Sequence, residues 1–209
     1  MTTTTKTTRQ RDPLYDAVAH RVQSLQAQFL KDEPHAVATL ARLRRCDPAD
    51  VGAEPLVWSV TLDGLPDEVV GPRHGDDPTP AERAVHASLV LYALHQQSGD
   101  EGVHQPGVSL GLAVGRLARA RAHEEDLDPS TIKRFHQVSL ANDFAGRLHF
   151  LRGVIQLMRA ESPPIGLDYG LLALDLRDLA DERRSPDRVL FRWGRDLHFN
   201  PKTTNQETT

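Results

Sequence analysis

The chain has 209 residues, of which 39% are apolar and 26% charged, and its 25 basic and 29 acidic side chains give a net charge of −4. Such a length buries a sizeable core in one domain or two small lobes, and no apolar run nears the roughly 20 residues that cross a bilayer. The lone cysteine, Cys46, excludes an internal disulfide, and the opening MTTTTKTT lacks the apolar stretch of a secretory signal. A cytoplasmic protein with no membrane partner is therefore expected.

In chain order, residues 1–12 form a polar, Thr-rich tail expected to be disordered. Asp12-Pro13 opens a helix with Leu14, Val18, Val22, Leu25 and Phe29 on one stripe. Pro34 opens a second, with Val37, Leu40 and Leu43 inward and Arg42, Arg44 and Arg45 at its end, where cations suit the helix dipole. Residues 56–62 fit a short strand or two helical turns, and 63–78 read as an exposed acidic loop. Thr79-Pro80-Ala81-Glu82 has the residues of a capping box, followed by Val85, Leu89 and Tyr92, with Gly99 as a stop. Ser109 starts a helix with Leu110, Val114 and Leu117 inward, and Glu124-Glu125-Asp126 begins an acidic connector. Asp128-Pro129 opens the next, carrying Ile132, Phe135 and Val138. Asn142 or Asp143 caps a longer helix, with Phe144, Leu148, Leu151, Ile155 and Met158, that ends at Ser162-Pro163-Pro164. Asp168 caps a helix with Leu172, Leu176 and Leu179. Ser185-Pro186 opens the last, with Val189, Trp193 and Leu197. Residues 201–209 form a second polar tail. The pattern predicts an all-α helical bundle of about eight helices. Its expected organisation is an N-terminal lobe over 13–127, including the acidic loop, and a C-terminal lobe over 128–200.

Charge is segregated along this pattern. Residues 1–46 carry +4 and 129–200 carry +2, whereas 47–77 carry −7 and 100–128 carry −3. Net charge is then a poor guide to partners. Arginine outnumbers lysine 21 to 4. Its planar fork suits phosphate, although a high-GC genome also favours arginine codons.

Gly107-Val108-Ser109-Leu110-Gly111 matches the Gly-x-Ser-x-Gly nucleophile elbow of serine hydrolases, but that elbow follows a core strand, and the preceding residues 96–102 cannot form one. Ser109 reads instead as a helix N-cap. The ten histidines lack a His-Glu-x-x-His or Cys-x-x-Cys pattern, so no metal site is expected. Asp175, Asp178, Asp181 and Glu182 share a helix with Arg177, Arg183 and Arg184 and read as a salt-bridged face. No phosphate loop or dinucleotide motif is present, so neither cofactor nor small-molecule substrate is expected. What remains is arginine placement. Arg188, Arg192 and Arg195 form one stripe on the last helix, with Arg184 just before it. Arg152 and Arg159 share a face of the long helix, and Lys133-Arg134 stands near the start of the helix before it. Lines of cations match a phosphate backbone without reading bases. Aromatic residues are 5% of the chain and mostly on apolar stripes, so base stacking is not the expected mode.

Taken in order, four stretches resemble the CasB family, the small subunit of the type I-E CRISPR Cascade complex. They are Leu43-Arg44-Arg45-Cys46; Gly107-Val108-Ser109-Leu110-Gly111; Lys133-Arg134-Phe135 with Leu148-x-x-Leu151-Arg152; and Ile165-Gly166-Leu167-Asp168-Tyr169 followed by Arg192-Trp193-Gly194-Arg195-Asp196. The match spans about residues 14–199 and departs in the tails and the 63–78 loop. The resemblance implies a non-catalytic subunit of two helical lobes, with two copies packed head to tail among the other Cascade subunits. Its basic surface would run beside the duplex of crRNA and target DNA and hold the displaced strand. It carries nucleic-acid contacts onto Arg45, Lys133, Arg134 and Arg152, and onto Arg83 near a basic position of the family. The stripe argument adds Arg188, Arg192 and Arg195, with Arg44 and Arg116. The alternative is a purely structural subunit whose arginine faces bind protein.

Overall fold

A computed structural model describes residues 12–72, 75–97, 99–122 and 127–199. The tails and the 124–126 connector, both singled out by composition, lie outside these residues. Among the described residues there are ten α-helices: α1 (Pro13–Phe29), α2 (Pro34–Leu43), α3 (Trp58–Thr61), α4 (Asp67–Val70), α5 (Pro80–Gln96), α6 (Leu110–Ala120), α7 (Pro129–Leu140), α8 (Phe144–Ala160), α9 (Tyr169–Ala180) and α10 (Asp187–His198). No strand occurs among the described residues beyond one isolated bridge, His104 to Leu167. The all-α expectation holds.

The caps fall where side-chain chemistry places them. The Leu14 amide donates to Asp12 at 2.9 Å, the Thr131 amide to Asp128 at 2.8 Å, and the Gly146 amide to Asp143 at 2.6 Å. Asp143 rather than Asn142 therefore caps α8. The α5 capping box is complete: the Glu82 amide donates to Thr79 Oγ1 at 3.3 Å, and the Thr79 amide to Glu82 at 2.8 Å.

One open alternative is settled and two local expectations change. Residues 56–62 are helical, a 3-10 turn at Pro55–Val57 running into α3. Pro55 starts the turn, and Glu54 accepts the Leu56 amide at 3.1 Å. The 63–78 stretch is not wholly an exposed loop, because α4 sinks Val69 and Val70 against the bundle. On α2, Val37 is 39% exposed, and Ala36 and Thr39 take the inward positions beside Leu40 and Leu43.

Helix α5 is the axis of the core. Every residue from Ala84 to Gln96 is buried, far more than one apolar stripe, as an interior helix requires. Helix α9 packs on both α5 and α1. At Gly170 an added Cβ would lie 2.6 Å from the Tyr15 ring, so only glycine admits that approach. Helix α10 packs on α6 at two glycines one turn apart. A Cβ on Gly111 would strike the Trp193 carbonyl, and one on Gly115 the Leu197 carbonyl. Helices from before and after residue 127 thus interlock in a single hydrophobic cluster.

Asp168 joins these parts. Fully buried, it accepts the Gly170 and Leu171 amides at 2.9 and 3.1 Å, the Tyr15 hydroxyl at 3.1 Å and the Gly107 amide at 2.7 Å. Gly107 reaches it with φ +85°, a left-handed conformation that favours glycine. Four donors compensate the buried carboxylate. They also lock the start of α6 to α9 and α1.

Candidate nucleic-acid interface

The arginines divide into two populations. One is committed to protein. Arg147, buried, donates to the carbonyls of Val138, Ser139 and Ala141 at 2.9, 3.1 and 2.8 Å and closes the C-terminus of α7. Arg119 does the same for α10, donating to Leu197 and Phe199 at 3.2 and 3.1 Å. Arg121 pairs with Glu161 at 2.8 Å, Arg177 with Asp12 at 2.9 Å and Arg184 with Asp178 at 2.7 Å. The contacts of Arg119, Arg121 and Arg177 join distant parts of the chain, and all five arginines spend donors on protein acceptors.

Arg192 belongs to this population, which departs from its expected place on an outward stripe. It lies 2.6 Å from Asp175, a carboxylate only 1% exposed that also accepts the Trp193 indole at 2.8 Å. The position that puts Trp193 in the core brings its neighbour within reach of the same acid. Arg195 is 66% exposed and pairs at 3.5 Å with Asp196.

In the second population, eight of the predicted positions have no ion pair among the described residues: Arg44, Arg45, Arg83, Arg116, Lys133, Arg134, Arg152 and Arg188; Arg21, Lys31, Arg42 and Arg159 share this property. Arg45, Lys133, Arg134 and Arg188 are exposed, and the other four of the eight are half-buried. Arg83 donates to the Pro78 carbonyl at 3.2 Å, and Arg116 to Gln105 at 3.0 Å. The eight are spread over five helices and the end of α2. Two local groups emerge. Arg44 feels the like charges of Arg45 and Arg159, which add to burial in lowering its hold on its proton. Arg159 in turn donates to Gln97 at 2.7 Å and shares a face of α8 with Arg152 seven residues away. Arg188 and Arg195 form the second group, on the outer face of α10.

Two further surface side chains lie outside the predicted set. Arg159 was visible as a face-mate of Arg152, but its nearness to Arg44 is a tertiary fact. Phe191 stands off the Val189–Trp193–Leu197 stripe and is 70% exposed. Its misfit to the stripe was the available signal.

Ser109 is a cap. Its hydroxyl donates to Asp196 at 2.7 Å and its oxygen accepts the Leu112 amide at 3.3 Å. The second glycine of the motif, Gly111, is a helix-packing residue. A groove of about 470 Å³ opens beside it, lined by Gly107, Ser109, Leu112, Leu171, Arg192, Arg195, Asp196 and Phe199. Among the described residues, no three His, Cys, Asp or Glu side chains are placed to hold a metal, and no helix is long and apolar enough to cross a membrane.

The fold and surface define a class: an all-helical protein with one core and a set of cations that make no ion pair among the described residues. A family model described as CRISPR-associated protein Cse2 matches residues 39–198. The crystal structure of CasB from Thermobifida fusca has a TM-score of 0.74 at 37% identity, covering 90% of this chain and 98% of that one. A chain of a CRISPR RNA-guided surveillance complex shares the fold with a TM-score of 0.62 at 21% identity, covering 94% of this chain and 99% of that one. No curated protein sequence matches at a significant level. The chain belongs to the CRISPR-associated Cse2, or CasB, family.

Proposed function

We propose that this protein is the non-catalytic small subunit of a type I-E Cascade complex, and that it supplies a basic, sequence-independent surface beside the R-loop. Base pairing between crRNA and target reads the sequence. The subunit's cations hold backbone, above all that of the displaced DNA strand, and a second copy extends the track. The observation that carries this reading is that eight of the predicted cations, Arg44, Arg45, Arg83, Arg116, Lys133, Arg134, Arg152 and Arg188, make no ion pair among the described residues. Arg195 joins them at the surface, and Arg192 is assigned to holding α10. Family membership and the fold shared with a chain of a surveillance complex support the setting.

The test is crosslinking in the assembled complex. The displaced strand should crosslink to peptides containing Arg152 or Arg188–Arg195. Reversing the charge of Arg44, Arg45 and Arg152 together should weaken R-loop retention and flatten its salt dependence. Normal assembly with unchanged retention and salt slope would sink the reading.

A structural role is the second reading, favoured by one observation. Arg119, Arg121, Arg147, Arg177, Arg184 and Arg192 all serve internal contacts, so arginine enrichment alone does not require a nucleic acid. Under it, the same crosslinks would map to neighbouring protein subunits.

A further inference from the structure

Phe191 is 70% exposed on a helix that buries three other apolar side chains, Val189, Trp193 and Leu197. Helix α10 is anchored without it: Trp193 packs on Phe135 with ring centroids 5.9 Å apart. Phe191 lies between Arg188 and Arg195, three and four residues away. The three side chains fall within about 60° around the helix axis and about 10 Å along it. Its neighbours on the helix surface are Asp187, Arg188, Gly194 and Arg195, none of them apolar. A protein-docking patch would set the ring among other apolar groups. Along its own helix face the ring is bordered by three charged residues and Gly194.

The nearest acids are partly committed. Asp196 faces α6, where one oxygen accepts Ser109 at 2.7 Å. Asp187 occupies the first turn of α10, where a carboxylate complements the helix dipole. Arg188 has no ion pair among the described residues, and Arg195, 66% exposed, also lines the groove at the end of the helix. Two exposed guanidinium groups flanking an exposed aromatic face complement a unit of single-stranded nucleic acid, in which an unpaired base lies between two phosphates.

We infer that Phe191 is a stacking platform for one unpaired base of the displaced strand, with Arg188 and Arg195 on the phosphates to either side. This rests on the nucleic-acid reading above and adds a base contact to a surface otherwise expected to touch backbone alone.

The test uses the subunit assembled with its Cascade partners on target DNA, reading retention of the displaced strand. Phe191→Ala and Phe191→Leu should each weaken it about 5- to 100-fold, with Phe191→Trp near wild type, because stacking needs a π face. The salt slope should stay unchanged in all three, since no phosphate contact is lost. Abasic sites scanned along the strand should reveal one position that weakens wild type but not Phe191→Ala. Equal retention by wild type and Phe191→Ala overturns the inference. So does full rescue by leucine, or failure of Phe191→Ala to enter the complex, since either makes Phe191 a protein contact. Reversing Arg188 and Arg195 separates the two claims. If that double variant loses retention and Phe191→Ala does not, only the stacking fails. If neither does, and the crosslinks go to protein, the nucleic-acid reading itself fails.

Discussion

The indole N–H of Trp193 donates to the Asp175 carboxylate at 2.8 Å inside the core. Asp175 sits on α9 and Trp193 on α10, so one carboxylate fixes the last helix to the helix before it, with Arg192 as its counter-charge at 2.6 Å. Asp175→Ala leaves a buried indole donor and a guanidinium without their acceptor. It should cost about 3 kcal/mol, read by urea unfolding followed through Trp fluorescence. A change under about 1 kcal/mol would mean that water replaces the carboxylate.

Glycine substitutions should split by environment. Gly111→Ala and Gly115→Ala place a methyl group against the backbone of α10. Each should destabilise by about 1–3 kcal/mol despite the better helix propensity of alanine. Gly153 and Gly194 meet nothing within 4 Å, so alanine there should stabilise by about 0.5–1 kcal/mol. Thermal unfolding of the four variants measures both signs.

Acid should weaken the fold through buried histidines. His95 is pushed from its usual 6.5 down to about 3, first by burial and then by the nearby Arg159 charge. Burial also lowers His86 and His104, against the opposing pull of Asp47 and Asp50 on the first and Asp168 on the second. The unfolded chain therefore binds more protons as the pH falls. This contribution is whole above about 6.5 and is lost progressively toward about 3, with a slope of up to about 1.4 kcal/mol per pH unit for each histidine. Denaturant titrations across this range should show the slope, and His95→Gln should reduce it by close to one proton.

Two arginines on α8, five residues apart, should behave oppositely. Arg147→Ala exposes three carbonyls at the end of α7 and should lower stability by about 2 kcal/mol. Arg152→Ala should leave stability within about 0.5 kcal/mol and instead reduce the salt slope of displaced-strand binding by about 0.7–0.9. Parallel unfolding and salt-titration experiments distinguish the two. A stability loss at Arg152 matching that at Arg147 would remove it from the track.

Much of the helical architecture was legible in the chain because its signals are local. Capping side chains act on amides two or three residues away, so Asp12, Thr79, Ser109, Asp128 and Asp168 could be read without knowing the fold. The stripes of α7, α8 and α10 were equally readable. Residues 56–62 were not, because a seven-residue stretch of five apolar residues broken by Ser59 and Thr61 satisfies strand and helix alike until neighbours arbitrate. Arg188 and Arg192 looked equivalent in periodicity. Only the arrival of Asp175 from α9 made one a core partner and left the other at the surface.

The amino-acid sequence by itself determined an all-helical protein, its punctuation, and the family its ordered motifs resemble, because propensity, capping and periodicity are properties of nearby residues. Tertiary structure alone decided that α5 is buried on every side, that Asp168 gathers four donors, and which arginines are committed to protein. Those outcomes depend largely on groups far apart in the chain, such as Arg192 and Asp175, 17 residues apart, and Tyr15 and Asp168, 153 apart, brought together by packing that no local pattern encodes.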